Sequence, residues 1–230
     1  MSYLFETHYH TPVTSHCAST PAGEAIPKYI ENGYAGVFVT DHYYREWFYE
    51  DAVKDLTWEQ KIDKWLQGYA SVVKAAEGTS FQVILGMELR FTDNLNDHLV
   101  YGIDRDLLVR YPELYNLTPA EFRKFADEHG LFFAQAHPFR VMCSPRDPKD
   151  LHGVEVFNGN ARHNSHNDTA EAFAAEHHLV RLSGSDFHEW DDLCLGGIYL
   201  EKIPQSSAEL AQMLLGGEVS GLKIPGKEKE

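Results

Sequence analysis

The 230-residue sequence predicts an α/β protein on a largely parallel sheet, closed as a barrel. Short apolar runs alternate with longer segments of helical period, the pattern of repeated strand and helix units. The length suits one sizeable core, because α/β barrels often reach this size as single domains, and residues 1–225 are expected to form one. Residues able to bind metal stand at the carboxyl ends of several apolar runs, and in a parallel barrel those ends meet at one mouth.

Strands are expected at residues 3–7, 35–40, 82–87, 98–103, 131–136, 153–157, 180–184 and 197–200. Three helices have readable starts: Thr57 with Gln60, Thr118 with Pro119 and Glu121, and Ser206 with Glu209. In each, a hydroxyl and a side chain three residues on can satisfy free backbone amides. After Thr57, the residues Ile62, Trp65, Leu66, Tyr69, Val72 and Val73 recur at helical spacing and form one apolar stripe, expected to face the core. The aromatic segment YYREWFYEDAV, residues 43–53, reads as packing over the barrel rim, with a lid or pocket wall as the alternative. The charged tail GKEKE, residues 226–230, has no apolar anchor and is expected to be disordered.

Composition narrows the function. A formal charge of -15 and a pI near 5.2 disfavour a surface that attracts nucleic acid or anionic membrane in bulk, so long nucleic acid is not the expected partner. An anionic small substrate stays open, since cations held by imidazoles and carboxylates make a locally positive pocket. Cys17, Cys143 and Cys194 form no CxxC pair and suggest neither disulfides nor a cysteine zinc site. With no apolar stretch of membrane-spanning length and no signal-like start, a soluble cytoplasmic protein is expected.

Among 13 histidines, the informative ones sit beside carboxylates at strand ends. His8 and His10 follow the first strand, Asp41 and His42 the second, and Glu88 the third. His137, in AQAHPF, Asn158, in EVFNGN, and Asp186 with His188, in LSGSDFH, follow three more. His98 precedes its apolar run and so departs from the pattern. Any one of these could be an ordinary solvated residue, but their joint placement would require several coincidences. His8, His10, His16, His42, Glu88, His98, His137, Asp186 and His188 are the candidate metal ligands. Their nitrogen and oxygen donors suit zinc, iron or manganese. They exceed what one ion can use, so two or three ions are expected.

The order HxH, DH, Glu, His, AHP and DxH, running from His8 to His188, resembles the PHP (polymerase and histidinol phosphatase) superfamily. The resemblance implies a distorted (β/α)7 barrel with metals at its carboxyl-terminal face and phosphoester hydrolysis by a metal-bridging hydroxide. Where many members carry a Ser-Asp pair, this chain has Ser15-His16, which resembles the branch with a trinuclear site and implies that His16 ligates the third ion.

Cationic donors for phosphate are expected from Arg140 and Arg162, in loops at the same mouth, although each could instead pair with a surface carboxylate. Arg90 and Asn158 are weaker candidates. Asp41 could orient His42 or protonate the leaving group, and a strand-end cap is as good a reading. His129, His152, His163, His166, His177 and His178 are assigned structural places. The expected activity is phosphatase-like hydrolysis of a small phosphate monoester. The alternatives are a phosphodiesterase acting on nucleotides or short oligonucleotides, a non-catalytic metal-binding domain, and a related barrel hydrolase of C–N bonds.

Overall fold

β-Branched and aromatic runs bounded by polar turns become strands here, as their propensity dictates. The computed structural model describes residues 2–227, so residues 228–230 of the expected disordered tail lie outside the described residues. The first half runs β1 (Tyr3–Tyr9), α1 (Ala22–Glu31), β2 (Tyr34–Val39), β3 (His42–Tyr43), α2 (Trp58–Trp65), α3 (Gln67–Ala75), β4 (Gln82–Arg90) and β5 (Asp97–Tyr101). It continues through α4 (Arg105–Arg110), α5 (Pro119–His129), β6 (Phe132–Gln135), β7 (Gly153–Asn158), α6 (Asn167–His177), β8 (Val180–Gly184), β9 (Gly197–Leu200), α7 (Ser207–Leu215) and β10 (Val219–Lys223).

All eight expected strands are present, and β3 and β10 are added to them. The sheet runs β10-β9-β1-β2-β4-β5-β6-β7-β8, with β3 paired to β4. It is a nearly closed barrel: between β1 and the segment after β8, Phe187 N donates to His8 O at 3.0 Å and His10 N to Phe187 O at 3.1 Å. Pairing is parallel for β1-β2, β2-β4, β6-β7 and β7-β8, but β5, β9 and β10 run antiparallel to their neighbours. The reversal of β5 has a simple cause. Only residues 91–96 join it to β4, and a parallel crossover needs about a dozen.

The capping boxes at Thr57 and Thr118 are both complete. Ser206 accepts from Glu209 N, but Glu209 reaches back to Gln205 N, one residue beyond the cap. The apolar stripe after Thr57 breaks at Leu66 into α2 and α3: Ile62 and Trp65 pack with Tyr43, Trp47 and Phe48, while Val72 joins Tyr9, Tyr29 and Phe187. Val73 is left largely exposed. In the aromatic segment 43–53, Tyr43, Trp47, Phe48 and Val53 are buried in this core, whereas Tyr49 is half exposed. Among the described residues, no helix is long and apolar enough to cross a membrane.

Candidate metal centre

Five strands deliver the polar cluster at the barrel mouth. β1 carries His8 and leads directly into His10, and alternate residues of extended chain share a face. His42 opens β3 directly across from Glu88 of β4, which extends to Arg90 and so holds Glu88 within the sheet. His137 follows β6, and Asp186 and His188 follow β8. Ring centroids lie 5.0 Å apart for His8 and His10, 4.4 Å for His10 and His42, and 4.3 Å for His10 and His188. Glu88 Oε1 is 3.1 Å from both His8 Nε2 and His137 Nε2, and its Oε2 is 2.7 Å from His42 Nδ1 and 3.4 Å from His10 Nε2. Asp186 Oδ1 lies 3.4 Å from His8 Nε2 and from His10 Nε2.

These spacings fit a cation. Donors on one ion with bonds of about 2.0–2.2 Å stand roughly 3–3.5 Å apart along the edges of its coordination shell. His8 Nε2 and His10 Nε2 are buried without a hydrogen-bond partner among the described residues, a costly state unless something else binds them. Burial opposes charge on Glu88 and Asp186, yet the surrounding imidazoles outweigh it and hold both well below the usual carboxylate range. Burial, then His188 and His42, hold His10 well below 6.5 and therefore neutral. His8 goes the other way: burial disfavours its charge, but Asp186, Glu155 and Glu88 raise it well above 6.5. A proton on His8 thus supplies the positive charge that two buried carboxylates demand, and a divalent ion could replace it.

Two carboxylates that sequence reasoning missed hold the cluster in place. Glu155 accepts from His137 N at 2.9 Å and meets His8 Nδ1 at 2.9 Å, so His8 Nε2 faces the cluster. Glu6 accepts from His8 N at 3.0 Å and from Ser185 N at 2.8 Å. His137 and Asp186 both have positive φ, 29° and 53°, which for non-glycine residues costs about 1–3 kcal/mol and persists only where surroundings impose it. Glu155 bonds the amide of His137, and Glu6 bonds the amide just before Asp186. Gly184 permits the close approach, since a Cβ there would meet His8 Cβ at 2.6 Å and Glu155 Oε1 at 2.8 Å. An acidic residue inside an apolar strand, as in YLFET and GVEVF, was the available signal for both.

Two expected ligands stand apart from the cluster. His16 has a side chain 62% exposed, with Nδ1 3.8 Å from Glu50. Its neighbour Cys17 faces the site instead, with Sγ 3.3 Å from His42 Nε2. His98 pairs with Leu89 rather than Glu88, so it points to the opposite face of the sheet. There its Nδ1 meets Leu89 O at 3.1 Å, Arg146 Nε donates to its Nε2 at 3.3 Å, and its ring packs on Phe91 and Phe133. The reversed β5 places His98 at the mouth end of its strand, but the two-residue period turns it away.

Asp41 does not reach the pocket either. It accepts from Thr11 N at 2.7 Å, Thr11 Oγ1 at 2.8 Å and Ser15 Oγ at 2.7 Å, so it is a loop clamp rather than a leaving-group acid. Because the Ser15 hydroxyl gives its hydrogen to Asp41, it accepts from His10 Nδ1 at 3.2 Å, which leaves His10 Nε2 as a lone pair toward the cluster. Arg140 and Arg162 do line the pocket, as does Arg90. Arg140 Nη2 donates to Asp186 Oδ2 at 2.7 Å and Asn158 Oδ1 at 2.8 Å; Arg162 pairs with Asp192 and Glu189; Arg90 forks onto Asp97. His163, given a structural place above, is in the pocket wall, whereas His166 precedes α6 and His152 bonds Asp127 and Phe133 N.

No family model matches this sequence, and no curated protein does. Solved structures do match the shape. A two-domain Bacteroides vulgatus ATCC 8482 protein containing a predicted PHP-like metal-dependent phosphoesterase superposes with a TM-score of 0.65 at 14% identity, over 97% of this chain and 65% of that one. The lesion-specific endonuclease PfuEndoQ of Pyrococcus furiosus gives 0.61 at 19% identity, over 97% and 58%. The barrel has the fold that these structures share. An amidohydrolase from Chromobacterium violaceum gives 0.55 at 13% identity, over 93% and 96%. This chain therefore spans about two thirds of the first of these proteins and less of the second. Because a lesion-specific endonuclease shares this barrel, the fold does not support the expectation that long nucleic acid is excluded as a partner.

Proposed function

We propose that this chain is a metal-dependent phosphoesterase that hydrolyses a small phosphate monoester. Two to three divalent ions, zinc, iron or manganese, would be held among His8, His10, His42, Glu88, His137, Asp186 and His188. The observation that carries this reading is the cavity of about 420 Å³ over the cluster, where Arg90, Arg140 and Arg162 gather in a chain of formal charge -15. Each of these arginines is paired with a carboxylate, so the pocket would favour an anion once divalent ions are held beside them.

Ions bound there would neutralise phosphoryl charge and lower the pKa of a water molecule enough to supply a nucleophile at neutral pH. The remaining work belongs to side chains. Arg140 lines the pocket with its Nη2 tied to Asp186 and Asn158, so the guanidinium is held in place to donate a remaining N–H to a phosphoryl oxygen. Asn158 holds that geometry by donating to both Glu155 and Asp186. Arg162, at the more open edge, can meet the outer part of the substrate. With Asp41 enclosed by Thr11 and Ser15, the leaving oxygen takes its proton from solvent.

The test is phosphate release from an aryl monoester against a bis-aryl diester at matched concentrations, with metal-loaded protein. Faster monoester turnover, lost on chelation, supports the reading. A diester preference beyond about tenfold would overturn it in favour of a nucleotide or oligonucleotide diesterase, the reading favoured by the likeness to a lesion-specific endonuclease. Metal-loaded protein that turns over no phosphorylated compound in a broad panel would mean a binding domain.

A further inference from the structure

We infer that Cys17, and not His16, is the protein ligand contributed by the loop after β1, completing a site of three imidazoles and one thiolate with His10, His42 and His188. The inference rests on the proposed metal centre and assigns one corner of it. Each of the three imidazoles has one nitrogen anchored. His10 Nδ1 is held by Ser15 Oγ at 3.2 Å, His42 Nδ1 by Glu88 Oε2 at 2.7 Å, and His188 Nδ1 by Asp186 O at 2.9 Å. This is the arrangement by which metal-bound histidines are oriented, with one nitrogen engaged by an outer partner and the other turned to the ion. The three offer ligand atoms within 4.8 Å of one another.

Sulfur stands at the edge of this group. Cys17 Sγ lies 3.3 Å from His42 Nε2 and also engages His188. Independently, His10 Nε2 is fully buried and without a hydrogen-bond partner among the described residues, and His10 offers a ligand atom within 4.8 Å of those of His42 and His188. The backbone prevents an exchange of the two neighbours. Ser15 Oγ donates to Asp41 and accepts from His42 N at 3.0 Å, Ala18 N donates to Ser15 O at 2.9 Å, and Ser19 N donates to His188 O at 2.8 Å. With residues 15, 18 and 19 pinned, residue 16 faces solvent and residue 17 faces the histidines. Turning His16 inward would break these bonds.

The chemistry differs from that of an all-nitrogen and oxygen site. A thiol that binds an ion releases its proton to solvent and donates a sulfur electron pair, and such a soft donor favours zinc or cobalt over manganese or magnesium. The remaining donors, His8, Glu88, His137 and Asp186, form a harder set. This chain would therefore hold dissimilar ions or bind like ions with unequal affinity.

Cobalt(II) substitution of the full chain tests this without reference to activity. The loaded wild type is expected to show a near-ultraviolet thiolate-to-cobalt charge-transfer band. The His16→Ala protein should keep both the band and the full ion count by elemental analysis. Cys17→Ser should lose the band, ruling out Cys143 and Cys194 as its source, and bind that ion about 10–100-fold more weakly. A wild type that takes up cobalt without the band would overturn the inference, as would a band that survives Cys17→Ser or an ion lost from His16→Ala. A wild type that takes up no ion would overturn the underlying metal centre as well, and its elemental analysis distinguishes that failure.

Discussion

His8 and His98 are both fully buried histidines of the same sheet, and their surroundings make opposite residues of them. His8 meets Glu88, Glu155 and Asp186, which overcome burial and hold its pKa well above 6.5. His98 meets Phe91, Phe133 and the Arg146 guanidinium, and burial followed by that cation pushes it down to about 3. Burial therefore says nothing about ligand character. What separates the two is whether carboxylates share the pocket, and the face of the sheet decides that.

The comparison can be broken most severely at the carboxylates. Asp186→Ala should abolish metal-dependent hydrolysis, lowering kcat/KM by about a thousandfold or more, the scale of losing a charge-stabilising group. Circular dichroism should remain that of the folded barrel, and undiminished turnover would remove Asp186 from the site. Glu155→Gln is expected to weaken metal binding by about 10–100-fold, because it loosens both the tautomer of His8 and the amide of His137. Competition with a chelator reads that loss, and unchanged affinity would make Glu155 a packing residue only.

A third expectation concerns Glu6, whose pKa burial raises from an ordinary 4.5 to about 7. The folded chain then holds that proton more tightly than the unfolded chain. Its stabilising contribution is complete below about pH 4.5, declines as the pH rises toward 7, and is constant beyond. In metal-free protein, the urea midpoint of the wild type should therefore fall relative to Glu6→Gln across that window; a constant gap would mean that Glu6 stays ionised throughout. The smallest effect is expected at His98. His98→Leu should keep ion count and turnover and change stability by only about 1–2 kcal/mol, the scale of its lost hydrogen bonds. Loss of an ion would restore His98 as a ligand.

Much of this centre was legible because strand ends are where a parallel barrel assembles a site. HxH, DH, Glu88, AHP and DxH stand at such ends, and the structure brings their side chains together with the exception of Asp41. His98 was misjudged in a different way. Its place before an apolar run looked like a defect of position, whereas the reversal of β5 makes the position correct and the facing wrong. The short FTDNLN connection contained the reversal, but facing depends on pairing register, which a single residue shifts. Helix α1 has no capping side chain and contains Pro27, so its start could not be read locally. Glu6 and Glu155 were hidden because acidic residues within strands count against apolar patterning until partners are known.

The order of ligand motifs, the alternation of strands and helices, and the capping boxes at Thr57 and Thr118 are local properties, and the sequence by itself determined them. Tertiary structure decided which side chains converge. Whether His16 or Cys17 enters the pocket depends on the bonds that tie Ser15 to Asp41 and His42 and Ser19 to His188, which clamp the loop from two distant segments. Whether a buried histidine is charged or neutral depends on carboxylates contributed by β4, β7 and the loop after β8. Charge interactions fall off over a few ångströms in space and take no account of distance along the chain.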